Sequence, residues 1–441
     1  MENIRPVHLV LSALGLVIVS FLAGGAAIAL AFGLLALILV YPLFRLVWNR
    51  LYGAEDIADA LFFARTEDGW NIPLHFHRPD YPRPGAFPVI FCHGIAVNKF
   101  GVDMDRRHSL AFFLKQRGYP VFVMGMRGTG KAHRPGAQKP PRFTFDDIVE
   151  YDVPAAIRRV RELTGAPKVS WVGHSMGAMV ASGFLGRKLP ESENVACLVS
   201  IGSPGRLDHV NGRFWNTLAK YPWLQGALDL KLGANVIAPV SGRVTTPVER
   251  FIYSPENVSS QTIRKLLNNA IENINPGLAS QMLEWIQKGT ETTEDGSYSY
   301  RNGFSNIRIP TLYIAGEGDL VAPPRTVIHS YRLNSSRNKD IIILSREDYS
   351  SDYCHIGLVL GEEAPEEIFP EVHEWLNRFG NKKRKGRVAG TLRKMREFLK
   401  SSPKQKQAAL HLRRSEREKK RKHKKKKIYR DQDSQESVIQ S

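Results

Sequence analysis

The sequence contains little cysteine. Three cysteines, Cys92, Cys197 and Cys354, occur among 441 residues. They are too few and too scattered for a disulfide framework or a zinc site, which excludes small folds stabilised by disulfides or zinc. No internal repeat is visible, so repeat architectures are also excluded. We predict neither a metal nor an organic cofactor.

Charge of either sign is absent from residues 9–44. One helix of this length would measure roughly 54 Å, whereas the hydrocarbon core of a bilayer is about 30 Å thick. We therefore predict a transmembrane hairpin of two helices within a membrane anchor, residues 1–52. Arg5 and Arg45 flank the run, which favours a membrane protein with both anchor ends and the following domain on the cytoplasmic face. The competing interpretation is a signal peptide cleaved near residues 23–27.

Acidic residues are scarce in the C-terminal segment. Residues 381–441 hold 23 Lys or Arg and 6 Asp or Glu, a net charge of +17, whereas residues 1–380 hold 39 and 37, a net charge of +2. A tail of this composition is predicted to be largely disordered. An anionic membrane surface is its favoured partner. Nucleic acid is less favoured, since Tyr429 is the one aromatic residue within the basic run, and a solvated tail without a partner stays open.

The body of the chain alternates between short apolar runs and amphipathic helical patterns. The apolar runs lie at residues 89–92, 121–125, 169–172, 196–201, 311–315 and 341–344. Such runs are typical of strands buried on both faces of a parallel sheet. The alternation predicts an α/β fold, a three-layer sandwich with a mostly parallel sheet, built from residues 53–205 and 306–380.

Residues 206–305 interrupt this alternation with helical patterns and no clear series of strands. We interpret them as a helical cap or lid inserted over one end of the sheet. The segment carries large apolar side chains, namely Phe214, Trp215, Tyr221, Trp223, Leu224, Phe251, Ile252 and Trp285. They could line an acyl-binding groove or form the cap's own core, and the sequence leaves both open.

The strongest chemical signal is a G-x-S-x-G motif, Gly173-His174-Ser175-Met176-Gly177, placed between an apolar run and a helical pattern. A serine at a sharp strand-to-helix turn presents its hydroxyl at the carboxyl end of the sheet. The flanking glycines are needed because neighbouring elements crowd this turn. We predict Ser175 as a nucleophile. The alternative is a glycine-rich loop with a bystander serine.

A serine nucleophile needs a base that accepts its proton and an acid that orients the base. His355 follows the last predicted strand, and Asp319 follows the preceding one. The order Ser175, Asp319, His355 is that of nucleophile, acid and base in this type of site. Glu317 and Asp208 remain alternative acids.

An oxyanion hole requires two backbone N–H donors aimed at the developing charge. The residue after the nucleophile, Met176, is predicted to supply one. The loop His93-Gly94-Ile95 follows the run at 89–92, and Ile95 is predicted to supply the other. Gly94 allows the backbone to approach closely, and His93 is predicted to bond within its own loop.

These motifs resemble the α/β-hydrolase superfamily, and more narrowly its branch of acid lipases and polyhydroxyalkanoate synthase-like proteins. The resemblance covers about residues 60–380. It rests on the segments 91–95 (FCHGI), 117–122 (RGYPVF), 126–128 (MRG), 145–152 (FDDIVEYD), 173–177 (GHSMG), 316–319 (GEGD) and 355–358 (HIGL). The polymer synthases of that branch carry cysteine at the elbow. The serine found here, Ser175, favours hydrolysis.

The sequence therefore predicts a membrane-anchored serine esterase or lipase that cleaves carboxylic esters with apolar acyl groups through an acyl-enzyme on Ser175. An acyltransferase or a polyester-related enzyme would use the same chemistry with another acceptor or substrate. A non-catalytic membrane scaffold with a polybasic tail is the alternative from another class. The occupied positions 175, 319 and 355 speak against the scaffold.

Overall fold

The structure is a computed structural model that describes residues 45–207, 229–242 and 251–382. The predicted transmembrane hairpin and nearly all of the basic tail lie outside the described residues. Two parts of the predicted insertion, 208–228 and 243–250, also lie outside them. None of the helices in the described ranges has both the length and the hydropathy of a membrane span.

A single eight-stranded sheet organises the described residues, in the spatial order β1-β2-β4-β3-β5-β6-β7-β8. Pairs β1–β2 and β2–β4 are antiparallel, and all the other pairs are parallel. This confirms the predicted α/β fold with a mostly parallel sheet. The strands are β1 (Ala60–Arg65), β2 (Asn71–His77), β3 (Val89–Cys92), β4 (Val121–Met124), β5 (Val169–His174), β6 (Val195–Ile201), β7 (Thr311–Gly316) and β8 (Lys339–Leu344).

Helices cover both faces of the sheet. Those in the described ranges are α1 (residues 45–52), α2 (Leu110–Lys115), α3 (Val153–Thr164), α4 (Met176–Arg187), α5 (Leu230–Ile237), α6 (Ser260–Asn269), α7 (Pro276–Lys288), α8 (Tyr300–Gly303), α9 (Pro324–Leu333), α10 (Gly357–Leu360), α11 (Ala364–Glu367) and α12 (Phe369–Phe379). Side chains of α2 and α12 belong to one apolar cluster, and those of α3 and α4 belong to another. The sheet between them completes three layers.

The central strand β5 is covered on both of its faces. All six of its residues are buried. Val172 packs into the cluster on one face, while Val169 and Trp171 pack into the cluster on the other. Since successive side chains of a strand point to opposite faces, a strand covered on both faces needs apolar residues without alternation.

Part of the insertion packs against the body of the fold. The ring of Trp285 in α7 lies 5.0 Å from that of Phe145, and the ring of Tyr300 in α8 lies 5.1 Å from the same phenylalanine. Trp285 is 1% exposed. For Trp285 the structure therefore favours the core interpretation over the acyl-groove interpretation.

Helix α3 continues from a short helical turn, Phe145–Asp147, and a π-helical turn, Ile148–Asp152. The carboxylate of Asp147 accepts hydrogen bonds from the backbone N–H and hydroxyl of Thr144, which caps the start of this helical stretch. Gly165 ends α3 with φ 65°, a left-handed conformation that suits glycine.

A buried ion pair holds the loop after β4 to the π-helical turn. Arg127 is 2% exposed, and its Nε lies 2.8 Å from Oδ1 of Asp152, which is fully buried. The backbone N–H of Arg127 donates to the other oxygen of Asp152 at 3.0 Å. Its Nη1 reaches the half-buried Asp68 at 2.9 Å. The guanidinium thereby joins three separate segments of the chain.

Replacing Arg127 by methionine should lower the free energy of unfolding by about 3–5 kcal/mol, because the Asp152 carboxylate would remain buried without its partner. Urea denaturation measures the change. The matched control is Arg158→Met, since Arg158 pairs with Glu67 at the surface at 3.1 Å. That control should cost less than about 1 kcal/mol. Equal losses in the two variants would contradict this account of the buried pair.

Candidate active site

Ser175 forms the turn between β5, which ends at His174, and α4, which begins at Met176. Its backbone has φ 52° and ψ −123°, a positive-φ conformation that is costly for a residue with a Cβ. The Ser175 N–H donates to the carbonyl oxygen of Ile201 in β6 at 2.8 Å. The turn is therefore held from the neighbouring strand.

Two glycines allow the turn to pack this closely. A Cβ on Gly177 would lie 2.3 Å from the carbonyl oxygen of Cys92 in β3, and a Cβ on Gly173 would lie 2.4 Å from the backbone nitrogen of Ala178. The indole Nε1 of Trp171 donates to the carbonyl oxygen of Gly177 at 3.0 Å. The spacing of small residues in the motif thus has a direct steric cause.

Gly177→Ala should lower the free energy of unfolding by about 3 kcal/mol or more, because the added methyl group would overlap a backbone carbonyl that cannot move freely. The matched control is Gly233→Ala in α5, where an added Cβ would meet nothing within 4 Å. The control should be neutral or stabilise the protein by about 0.5–1 kcal/mol. Urea denaturation tests both variants, and a Gly177→Ala protein of wild-type stability would refute the steric argument.

Asp319 and His355 form a buried pair. Nδ1 of His355 lies 2.8 Å from Oδ2 of Asp319, and the two residues are 6% and 1% exposed. The other carboxylate oxygen of Asp319 accepts the backbone N–H groups of Val321 and Ala322, each at 2.8 Å. Each oxygen of this carboxylate therefore has a fixed partner, and the imidazole ring is oriented through Nδ1.

The loop that carries His355 reaches Asp319 because Gly316, at the end of β7, has no side chain. A Cβ there would lie 2.0 Å from the carbonyl oxygen of Tyr353. Glu317, the alternative acid, is exposed, and its N–H donates to the carbonyl oxygen of Leu344 in β8. The structure therefore pairs His355 with Asp319. Asp208, the other alternative, lies outside the described residues.

The imidazole of His174 connects the elbow with the loop of His355. Nε2 of His174 donates to the carbonyl oxygen of His355 at 3.2 Å, and the two ring centroids are 4.7 Å apart. Burial holds the pKa of His174 well below its usual value. Among the described residues, no hydrogen bond joins the Ser175 hydroxyl to the ring of His355. Catalytic hydrogen bonds often tighten only when substrate binds, and the triad stays a prediction.

The loop after β3 approaches the Ser175 side chain at Gly94. A Cβ on Gly94 would lie 3.1 Å from Cβ and 3.5 Å from Oγ of Ser175. The next residue is Ile95. Within the described part of the chain, neither the N–H of Ile95 nor that of Met176 donates to another group. Both are available for the predicted oxyanion hole.

His93 is buried behind this loop and bonds to it. Its Nδ1 lies 2.8 Å from the carbonyl oxygen of Gly94, and the N–H of Met126 donates to its Nε2 at 3.3 Å. These two contacts define a neutral ring that is protonated at Nδ1. Burial lowers the pKa of His93 to about 4.

This lowered pKa predicts acid sensitivity. Between pH 6.5 and about 4, the unfolded chain binds a proton at His93 that the folded chain does not. The free energy of unfolding should therefore rise with pH in this window, by about 1.4 kcal/mol per pH unit from this residue. In His93→Asn the slope should be smaller by that amount. Urea denaturation at pH 4.5, 5.5 and 6.5 measures it.

The same His93 comparison contains its own control. Above pH 7.5 residue 93 is neutral in the folded and unfolded states of both proteins, so the two stability profiles should run parallel there. Identical slopes for wild type and His93→Asn below pH 6.5 would contradict the pKa assigned to this ring.

One contribution to the site was missed in the sequence. The N–H of Glu272 donates to the carbonyl oxygen of Ala96 at 2.9 Å, and the N–H of Asn98 donates to that of Ala270 at 2.8 Å. The Asn98 amide also donates to Oε1 of Glu272 at 2.8 Å. Ala96 has φ 57°, so the insertion braces the loop at its strained residue. No local sequence signal predicts pairing across more than 170 residues.

A narrow cavity lies beside the predicted oxyanion donors. Its lining is mostly apolar and includes Ile95, Met126, Phe143, Met176 and Leu278. In the ranges that the structure describes, no group of three or more His, Cys, Asp or Glu side chains could hold a metal ion. Its polar side chains are Arg127 and Thr129 in the loop after β4, and Asn273 and Asn275 before α7.

Sequence similarity relates the chain to known proteins. The sequence profile of the alpha/beta hydrolase fold matches residues 88–343. The chain is 23% identical over 337 residues to a tear acid lipase-like protein of Mesocricetus auratus, covering 68% of this chain and 83% of the relative. It is also 23% identical over 331 residues to the gastric triacylglycerol lipase of Bos taurus, covering 65% and 79%.

Among solved structures, a thermophilic esterase from Thermogutta terrifontis is 18% identical, with a TM-score of 0.48, and the match covers 73% of this chain and 100% of that one. The family match spans more than half of the sequence, and the chain belongs to the α/β-hydrolase family. Its curated relatives include lipases of the acid and gastric type, as the sequence motifs predicted.

Proposed function

We propose that the protein is a serine hydrolase that cleaves carboxylic esters through an acyl-enzyme on Ser175. The observation that carries the proposal is the buried contact of 2.8 Å between His355 and Asp319, at the sheet edge that also presents the strained serine turn. The lipases among the relatives support ester hydrolysis as the reaction class.

In the proposed reaction, Oγ of Ser175 attacks the ester carbonyl carbon while Nε2 of His355 accepts the hydroxyl proton. Asp319 keeps the proton on Nδ1 of His355 and stabilises the imidazolium. The N–H groups of Ile95 and Met176 stabilise the negative oxygen of the tetrahedral intermediate. His355 then returns the proton to the leaving alcohol, and water hydrolyses the acyl-enzyme by the same steps.

The proposed substrates are esters with apolar acyl groups. The side chains around Ile95 and Met176 are mostly apolar, which supports an apolar group next to the ester carbonyl. The two relatives named above are a lipase-like protein and a lipase. Hydrolysis rates over a series of p-nitrophenyl esters of increasing chain length would define the preferred acyl group.

The proposed setting is a membrane, with the catalytic domain on the cytoplasmic face. The support comes from the sequence, where the uncharged run 9–44 is flanked by Arg5 and Arg45. The basic tail is proposed to contact anionic lipid on the same face, since each basic residue near such a surface contributes about 1 kcal/mol.

Labelling by a fluorophosphonate probe and hydrolysis of a p-nitrophenyl ester test the proposed reaction. Ser175→Ala should abolish labelling, because the probe reacts with the activated hydroxyl. Asp319→Asn should lower kcat by about 10⁴-fold, since the imidazole would lose the partner that fixes its tautomer. The matched control is Glu317→Gln, two residues away and exposed, which should retain wild-type activity.

Two outcomes would contradict the proposal. Wild-type protein that is folded in vesicles and does not react with the probe would favour the scaffold alternative. Loss of activity in Glu317→Gln with retention in Asp319→Asn would reverse the assignment of the acid. Thermal unfolding of each variant, followed by tryptophan fluorescence, shows whether a loss of activity reflects chemistry or misfolding.

A further inference from the structure

Exposed aliphatic side chains concentrate in two short segments of the described chain. Among the described residues, ten large apolar side chains are exposed, and seven of these lie on α1, on α5 or just after α5. We call these seven the apolar patch. They are Leu46, Val47, Leu51, Leu232, Val236, Ile237 and Val240, each between 43% and 69% exposed. Scattered exposed aliphatic residues are normal, whereas a cluster of this size marks an interaction surface.

The two helices that carry the apolar patch are bonded together. Nη1 of Arg45 in α1 donates to Oδ1 of Asn235 in α5 at 2.5 Å and to Oδ1 of Asn268 in α6 at 2.9 Å. The ring of Trp48 lies 4.4 Å from that of Tyr52, tilted by 38°, and packs against the main apolar cluster, so one side of α1 is part of the folded core. The exposed leucines and valines of α1 are not needed for that packing.

The apolar patch is also connected to the active-site rim, by which we mean the loops around Ser175, including the loop of Gly94, Ile95 and Ala96. Nζ of Lys231 in α5 lies 3.0 Å from Oε2 of Glu272, and the N–H of Lys231 donates to Oδ1 of Asn273 at 3.1 Å. Glu272 in turn donates its N–H to Ala96, the neighbour of Ile95. The orientation of the patch therefore fixes the orientation of the predicted oxyanion loop.

We propose that the apolar patch docks on the surface of a phospholipid bilayer and holds the active-site rim against it. The proposal rests on the ester-hydrolase function proposed above and identifies the place from which the enzyme takes its substrate. An ester with long acyl chains would then pass from the bilayer to Ser175 without crossing bulk water.

Chain continuity favours a bilayer as the occupant. The uncharged run ends at Phe44, and Val47 follows three residues later, a chain span of at most about 11 Å. The uncharged run of the predicted membrane anchor therefore leads directly into the patch.

Side-chain chemistry favours the same occupant. The patch is wholly aliphatic, whereas protein interfaces are enriched in aromatic residues, methionine and arginine. Arg50 is an exposed neighbour of Leu51, and its charge suits anionic headgroups. The same cation would oppose its counterpart if two copies paired through this face.

A fluorescent reporter on the patch tests the contact. Val236→Cys is labelled with the environment-sensitive dye NBD in the full chain, and the native cysteines do not interfere because all three are buried. The matched control is Tyr81→Cys, since Tyr81 is 90% exposed in the loop between β2 and β3, at the opposite edge of the sheet from Ser175. Both proteins are reconstituted in vesicles of phosphatidylcholine and phosphatidylserine that contain doxyl-labelled lipid.

Docking predicts a blue-shifted emission at position 236 that the doxyl lipid quenches, and a water-like, unquenched emission at position 81. Equal, water-like emission at the two positions would overturn the proposal. A blue shift at 236 without quenching by lipid would also overturn it, because another part of this chain or a second copy would then cover the patch.

A second measurement connects the contact to catalysis. The double variant Leu232→Gln/Val236→Gln should lose about tenfold or more of its activity on a long-chain ester dissolved in the same vesicles, because two aliphatic contacts with lipid are removed. Labelling of Ser175 by a soluble fluorophosphonate should be unchanged. Equal activity of wild type and double variant on the vesicle ester would overturn the docking proposal.

The two proposals fail separately. Wild-type protein that shows quenching at 236 but no fluorophosphonate labelling would refute the ester-hydrolase function and leave the membrane contact standing. Fluorophosphonate labelling without quenching at 236 would refute the membrane contact and leave the ester-hydrolase function standing.

Discussion

The strained backbone of Ser175 is the constraint on which the site depends. A positive φ at a residue with a Cβ costs on the order of 1–3 kcal/mol, and it persists only where the surroundings leave no alternative. Here β5 is buried on both faces, Gly177 lies against the carbonyl of β3, and β6 accepts the Ser175 N–H. The burial of the whole strand offsets the strain. The other groups of the predicted site lie on loops around this turn.

The loops around Ser175 are each held by contacts that cross the fold. Arg127 joins the loop after β4 to Asp152, and His93 joins the loop after β3 to Met126. Asp319 divides its two oxygens between its own loop and His355. Groups that are fixed before substrate arrives need no reorganisation during reaction, which is the physical basis of electrostatic preorganisation. Loops that are held in place in this way suit a reaction in which negative charge develops on one atom of the substrate.

The features that were predictable from the sequence are those written in local patterns. Continuous apolar runs located β3 to β8, and the serine motif located the elbow, because burial and steric crowding act on adjacent residues. The choice between Asp319 and Glu317 as the acid could not be made from the local sequence. Two acids two residues apart look alike in sequence, and the turn after β7 buries one and exposes the other.

Other features could also not be predicted from local sequence patterns. β1 was not among the predicted strands, because the sequence of residues 60–65 alternates too weakly to indicate one. The insertion is also less modular than a helical cap suggests, since its Ala270 and Glu272 supply the backbone partners of Asn98 and Ala96. Removal or exchange of the insertion would deprive the loop beside Ser175 of those hydrogen-bond partners. An exchange of the insertion between homologous proteins would therefore have to preserve the hydrogen bonds that join Ala96 and Asn98 to Glu272 and Ala270.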